Sequence, residues 1–168
     1  MQYIETKIVV ATDKNDVIGI GDKIPWYSQE DFKYFKKQTE GCVCIMGRKT
    51  YDTLPSNMKV LDREFVVITR DTNKQSRNEI PVTFISDPET AFAFNTNFKN
   101  IVVIGGAEIY KHFIGKVDRI IRTLVHVETL KSNDIVQMPK FYDKYELISS
   151  EDSISKDPYL TFETWARK

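Results

Sequence analysis

Cysteine and histidine are scarce in this 168-residue chain, with two of each. Cys42 and Cys44 lie two apart in a short apolar run, where strand geometry points both side chains to one face. A disulfide between them would be strained, so they read as small reduced core residues rather than a redox pair or metal ligands. His112 and His126 stand alone, which argues against a metal enzyme and against a Ser-His-Asp hydrolase. An excess of either charge is missing too. Lysine plus arginine number 24 and aspartate plus glutamate 24, with no long run of one sign, so nucleic acid and membrane surfaces are poor partners. No apolar stretch approaches the roughly 20 residues of a membrane helix, and the first residues carry no charged start followed by a hydrophobic signal segment. The expected setting is cytoplasmic. Repeats, low-complexity tracts and Pro/Gly/Ser linkers are also absent, so one domain over 1–168 is expected.

What is present suffices for a folded core, since 41% of the residues are hydrophobic against 29% charged. Apolar, β-branched runs at 4–11, 43–46, 65–69, 82–85 and 101–104 read as buried strands. Between them, helices are predicted over 28–39, about 50–54, 88–95 behind the cap Asp87, and 107–114. Alternating strands and helices imply a largely parallel sheet. After Lys116 come strands predicted at 119–127, 145–151 and 160–166 with no helix between them, as in an antiparallel extension. Two stretches read as loops: 13–27, which contains Gly19, Gly21 and Pro25, and the polar 128–140.

Three constellations can carry chemistry. Asp31 follows Trp26 and Ser28, with Phe32 beside it and Phe35 one helical turn on. The plain reading is a capping box in which Asp31 closes the first turn. The alternative is a carboxylate among rings, suited to a flat heterocycle whose two parallel N–H groups meet its two oxygens. Burial would raise its pKa and suit it to holding or relaying a proton. Gly47-Arg48-Lys49-Thr50 ends a strand and runs into a helix, where free N–H groups and two cations fit a phosphate or merely form a solvated basic turn. Gly105-Gly106-Ala107-Glu108 repeats the strand, glycine and helix arrangement without the G-x-G-x-x-G spacing, so an ordinary tight turn is an equal reading. Arg70, after Thr69 at a strand end, can grip an extra phosphate.

In order and spacing, Val17-Ile18-Gly19, Ile24-Pro25-Trp26, Asp31 with Phe32 and Phe35, Thr39, Ile45-Met46-Gly47-Arg48-Lys49-Thr50-Tyr51, Ile104-Gly105-Gly106-Ala107, Tyr110, Thr123 and Phe162-Glu163 resemble dihydrofolate reductase, from about residue 4 to residue 166. The resemblance implies an α/β fold: a single domain with an eight-stranded, mostly parallel sheet, an antiparallel C-terminal strand and flanking helices. It implies NADPH-dependent reduction of 7,8-dihydrofolate to 5,6,7,8-tetrahydrofolate, with hydride passing to C6 and a proton, delivered by water, to N5. Asp31, Trp26 and Thr123 would form the catalytic set. Asp31 would bind the pterin 2-amino group and N3, and Thr123 would support it.

Val9, Ala11, Ile24, Phe32, Phe35, Leu54, Val60 and Ile104 match folate-pocket positions, and Arg63 matches the arginine that holds the α-carboxylate of the glutamate tail. Ala11, Ile18 and Tyr110 match nicotinamide-site positions, with Ile104 also on the cofactor side. Gly47, Arg48, Lys49, Thr50, Gly105, Gly106, Ala107 and Glu108 match the phosphate bridge, and Thr69 and Arg70 the 2′-phosphate site that selects NADPH. Segment 13–27 resembles a mobile closing segment. The pattern departs at Asn133-Asp134-Ile135, where many relatives have Gly-Asp-Thr, and in a segment before Pro139 that is one residue longer. A monomer is expected. Two rivals are a same-fold NADPH reductase of a ribosylamino-pyrimidine in flavin synthesis and a non-catalytic folate- or nucleotide-binding protein.

Overall fold

The computed structural model describes residues 3–21, 23–54, 63–71, 82–95, 97, 99–128 and 133–168. Eight strands form one sheet: β1 Thr6–Thr12, β3 Val43–Gly47, β4 Glu64–Ile68, β5 Val82–Ile85, β6 Ile101–Val103, β7 Arg119–Val125, β9 Tyr145–Lys156 and β10 Tyr159–Arg167. Their order across the sheet is β5-β4-β3-β6-β1-β7-β10-β9. The pairs from β5 to β7 are parallel, and β10 pairs antiparallel with both β7 and β9, so it alone runs against the rest. This is the expected sheet with its reversed last strand.

Strand alternation divides the apolar residues into two cores, one on each face. Val9, Cys42, Cys44, Met46, Phe65, Val67, Val102, Ile104 and Ile121 pack on one side, under Tyr34 and Phe35 of α1 Gln29–Thr39 and Tyr51 of α2 Arg48–Thr53. Ile8, Val10, Ile45, Val66, Val103 and Ile120 pack on the other, under α3 Ala107–Phe113 and a 3₁₀ helix at Pro88–Phe94. Both cysteines are free and buried in the same core, as their spacing predicts, and burial pushes the Cys44 thiol up to about 12. No helix among the described residues is long and apolar enough to cross a membrane.

The structure corrects several boundaries. The helix predicted over 88–95 is 3₁₀: Pro88, Ala91 and Phe94 recur every third residue, which aligns them along one row of that tighter helix. Helix α2 begins at Arg48, two residues before the predicted start, because extended Gly47 serves as its N-cap without any side chain. Strand β9 continues to Lys156 past the predicted end at 151; residues 152–156 are polar except for exposed Ile154, so hydrophobic patterning carries no trace of them. The two predicted loops contain strands. β2 Val17–Ile20 and β8 Ile135–Gln137 pair antiparallel as a separate two-stranded ribbon.

That ribbon answers the departure at 133–135. Gly21 N donates to the Asp134 carbonyl (2.8 Å), and Met138 N donates to the Asp16 carbonyl (2.7 Å). Gln137 Nε2 donates to the Asn15 carbonyl (3.0 Å). The segment therefore holds the 13–27 stretch largely through backbone pairing, which Asn and Ile supply as well as Gly and Thr.

Candidate active site

The ends of β3 and β6 define a crevice. These strands are adjacent and parallel, but the chain continues from β3 outward to β4 and from β6 across β1 to β7. Helices α2 and α3 then start side by side at the carboxyl edge on opposite faces, the point at which a doubly wound sheet opens to a ligand. Gly47 N donates to the Gly105 carbonyl (2.8 Å) and ties the two turns together. A Cβ on Gly105, whose φ is +118°, would lie 3.1 Å from the Tyr110 hydroxyl oxygen, and one on Gly47 would lie 3.3 Å from Ile109 Cγ1. The Gly105 turn needs glycine at its positive φ, and the Gly47 turn leaves a Cβ little room beside α3.

The two first turns present Arg48, Lys49 and Thr50 on one side and Ala107 and Glu108 on the other, with Gly106 lying between. Backbone N–H groups at both helix starts and two exposed cations make a donor set for a bridging pyrophosphate. One strand over, Thr69 N donates to the Ile85 carbonyl (2.8 Å) and its Oγ1 accepts from Asp71 N (3.2 Å), a turn that leaves Arg70 exposed at the same edge. Tyr110 was expected beside a nicotinamide. It lies in the core, its hydroxyl donating to the Val9 carbonyl (2.9 Å), and burial raises its pKa.

On the α1 side of the crevice stands Asp31. Its backbone N donates to the Ser28 hydroxyl (3.1 Å), so the helix is capped as the spacing predicts. The carboxylate itself meets the hydroxyl of Thr123, a buried residue on β7 paired with Ala11 of β1 and Phe162 of β10. Burial lifts the Asp31 pKa above the ordinary carboxylate value, and the Thr123 hydroxyl pulls it back down. Among the described residues no basic side chain forms an ion pair with it. Tyr34 packs against Phe162 with ring centres 4.3 Å apart and planes tilted by 37°, and burial, then the charges of Asp31 and Glu151, raise the Tyr34 pKa. Val9, Ile104, Phe35 and Leu54 share the core beneath this side, a continuous apolar wall beside the acid.

Two of the predicted pocket residues lie apart from that wall. Ile24 and Phe32 are exposed, at 66% and 42%, and the Lys36 ammonium sits 4.6 Å from the centre of the Phe32 ring. Val60 lies outside the described residues. Ala11, Ile18 and Trp26 are half-buried. Arg63 is buried where the chain enters β4: Nε donates to Thr39 Oγ1 (3.1 Å) and Nη2 to the Lys36 carbonyl (2.6 Å), which fixes the guanidinium at the last turn of α1.

Sequence reasoning missed Glu30. Its carboxylate accepts from Ile154 N (2.9 Å) and Ser155 N (2.7 Å), hooking strand β9 to the turn that carries Asp31. The partners are backbone amides far along the chain, and no residue pattern marks them.

Comparisons with known proteins show the family and the fold. The family model described as dihydrofolate reductase matches residues 5–167. The chain is 30% identical over 165 residues to dihydrofolate reductase type 9 of Escherichia coli, covering 94% of this chain and 90% of that one. It is 32% identical over 142 residues to dihydrofolate reductase of Lactococcus lactis, covering 84% and 83%. The fold matches that of the dihydrofolate reductase from Enterococcus faecalis complexed with NADP(H) and RAB-propyl, with a TM-score of 0.78, 24% identity and coverage of 98% and 96%. With a family model spanning nearly every residue and curated relatives of the same length class, the chain belongs to the dihydrofolate reductase family.

Proposed function

We propose that Asp31 and Thr123 are the pair through which this chain performs the reaction of its family, the NADPH-dependent reduction of 7,8-dihydrofolate to 5,6,7,8-tetrahydrofolate. The half-buried Asp31 carboxylate carries the reading. An anion desolvated among apolar side chains, braced by one hydroxyl, is relieved by a ligand that brings parallel N–H donors and a positive charge. A pterin ring edge, with its 2-amino group and N3, does both. Thr123 fixes the carboxylate's direction, Val9, Ile104, Phe35 and Leu54 supply the flat apolar wall, and Trp26 completes the catalytic set from the closing segment. The negative charge favours protonation of the bound pterin, and water delivers the proton to N5.

The donor set at the two helix starts fits a dinucleotide. Gly47, Arg48, Lys49, Thr50, Gly105, Gly106, Ala107 and Glu108 would hold the pyrophosphate, the acid at 108 contributing through its backbone. Thr69 and Arg70 would meet the 2′-phosphate, while Ala11, Ile18 and Ile104 flank the nicotinamide, and Tyr110 supports that site from beneath Val9 and Gly105. When bound, NADPH supplies the hydride that goes to C6. Arg63, held rigid by α1, would take the α-carboxylate of the glutamate tail. The reading is completed by a monomer of one domain over 1–168, acting in the cytoplasm.

The test follows loss of NADPH absorbance with dihydrofolate in the parent protein and in Asp31→Asn. Turnover in the parent and its collapse in the variant support the reading. No parent turnover anywhere between weakly acidic and neutral pH defeats it. A flavin-pathway pyrimidine as substrate would leave the Asp31–Thr123 pair and Arg63 without a joint explanation.

A further inference from the structure

Arg122 lies in the middle of β7 and faces the side of the sheet opposite to its neighbour Thr123, and it is buried. An unpaired guanidinium there would cost several kcal/mol, so its surroundings are read together. Nε donates to Glu163 Oε1 (2.7 Å), which also accepts from Trp165 Nε1 (2.9 Å). Nη1 donates to Asp16 Oδ1 (3.1 Å) and to the Tyr142 hydroxyl (2.6 Å), and Tyr142 donates in turn to Asp16 Oδ1 (2.6 Å). The guanidinium carbon is 5.9, 5.4 and 5.8 Å from the ring centres of Phe141, Tyr142 and Trp165. Two carboxylates, a hydroxyl and three rings therefore enclose one cation.

Glu163 and Trp165 belong to β10, inside the main sheet. Asp16 belongs elsewhere. It has a φ of +60°, forms the turn into β2, and accepts at its carbonyl from Met138 N just beyond β8. Both arms of the ribbon meet at this residue. Ribbons of three or four residues per strand are marginal alone and take their position from what they are attached to. Ile18 and Met138 attach it to the core without direction, and Asp13 Oδ1 closes the turn locally by accepting from Asn15 N and Val17 N. The Asp16–Arg122 contact adds a charged, directional attachment to the middle of β7.

We infer that Arg122 is a positioning residue: through Asp16 it clamps the root of the β2–β8 ribbon and thereby sets the position of β2, the strand that carries Ile18. The inference rests on the proposed function, in which Ile18 of β2 flanks the nicotinamide.

Asp16→Asn is the discriminating variant. Asparagine adopts the left-handed backbone readily and keeps the side-chain shape and one acceptor oxygen, so the charge and the second acceptor are removed without disturbing the turn. Tyr142→Phe removes the bridging hydroxyl and leaves the ion pair. Amide hydrogen exchange on the full chain is measured together with steady-state kinetics. Loss of a charge-assisted contact predicts roughly 10- to 100-fold faster exchange at 17–20 and 135–137 in Asp16→Asn, a smaller effect in Tyr142→Phe, and no change in β3 or β4. It also predicts a KM for NADPH raised, or a kcat lowered, by about 5-fold or more, while the KM for dihydrofolate stays within about 2-fold. Unchanged ribbon exchange, or acceleration shared with β3 and β4, overturns the clamp. A loosened ribbon with unaltered kinetics overturns the positioning role. If the parent does not oxidise NADPH with dihydrofolate, the proposed function fails, and the exchange comparison still decides the clamp.

Discussion

Replacing Asp31 with asparagine should damage activity and strengthen the unliganded fold together. The carboxylate offers two oxygens to two pterin N–H groups, each a charge-assisted bond worth about 1.5–3 kcal/mol. Asparagine keeps one oxygen, loses the charge and turns an N–H toward a donor. A loss of about 3–6 kcal/mol in the transition state follows, which lowers kcat/KM by roughly 10²- to 10⁴-fold. Stability moves the other way. Burial raises the Asp31 pKa in the folded chain, so its contribution is fully present below the unfolded pKa and is lost as pH rises through the folded value. Above that folded value the parent bears an ionised, desolvated carboxylate that Asp31→Asn lacks. The variant's Tm should exceed the parent's at pH 7 and the two should converge in acid, each 1 kcal/mol amounting to about 2–4 °C at this chain length. The pH profile supplies a second sign. Without the anion to favour a protonated pterin, the remaining activity should need more acid, and its midpoint should move down. Steady-state assays across pH and thermal melts of the ligand-free proteins test both. An activity loss below about 10-fold, or a parent more stable than the variant at neutral pH, would refute the assignment of Asp31 as a desolvated substrate anchor.

Arg63→Ala should raise the KM for folates with a glutamate tail by roughly 10- to 100-fold and leave that for a tail-less pterin nearly unchanged; an equal effect on both rejects the tail contact. Arg70→Ala should weaken NADPH by roughly 10- to 100-fold and NADH hardly at all, so equal losses in a binding titration would remove the 2′-phosphate assignment. Gly105→Ala places a Cβ at positive φ 3.1 Å from the Tyr110 hydroxyl oxygen, which also holds the Val9 carbonyl. It should cost about 1–3 kcal/mol in a denaturant melt and weaken NADPH more than dihydrofolate; an unaltered melt would show that the turn tolerates a side chain.

Much of the sheet is legible in the sequence because buried parallel strands leave continuous apolar runs; the loss of intervening helices points to an antiparallel extension, and the reversed last strand itself comes from the family resemblance. The ribbon was hidden for the opposite reason. Val17–Ile20 and Ile135–Gln137 are too short for a period to register, and each finds its partner more than a hundred positions away. Helix cap and acid could not be separated at Asp31 from spacing alone, since Ser28 serves either reading; the structure has the backbone of residue 31 capped by Ser28 while its side chain turns to Thr123. The enclosure of Arg122 is likewise invisible along the chain, because Asp16, Tyr142 and Glu163 assemble only when β7, β10 and the ribbon come together.

The place of β10 bears on how the protein is made. Last in chain order, it lies not at the rim but between β7 and β9. A nascent polypeptide halted before residue 159 therefore leaves β7 as a naked edge, open to pairing with any other extended chain, and gives β9 no lodging in the sheet. Thr123 gains its neighbour Phe162 only when this final strand slots in. The surroundings of Thr123 are thus complete only once residues 159–167 have been added, and truncations before residue 159 should expose an aggregation-prone interior rather than merely shorten the molecule.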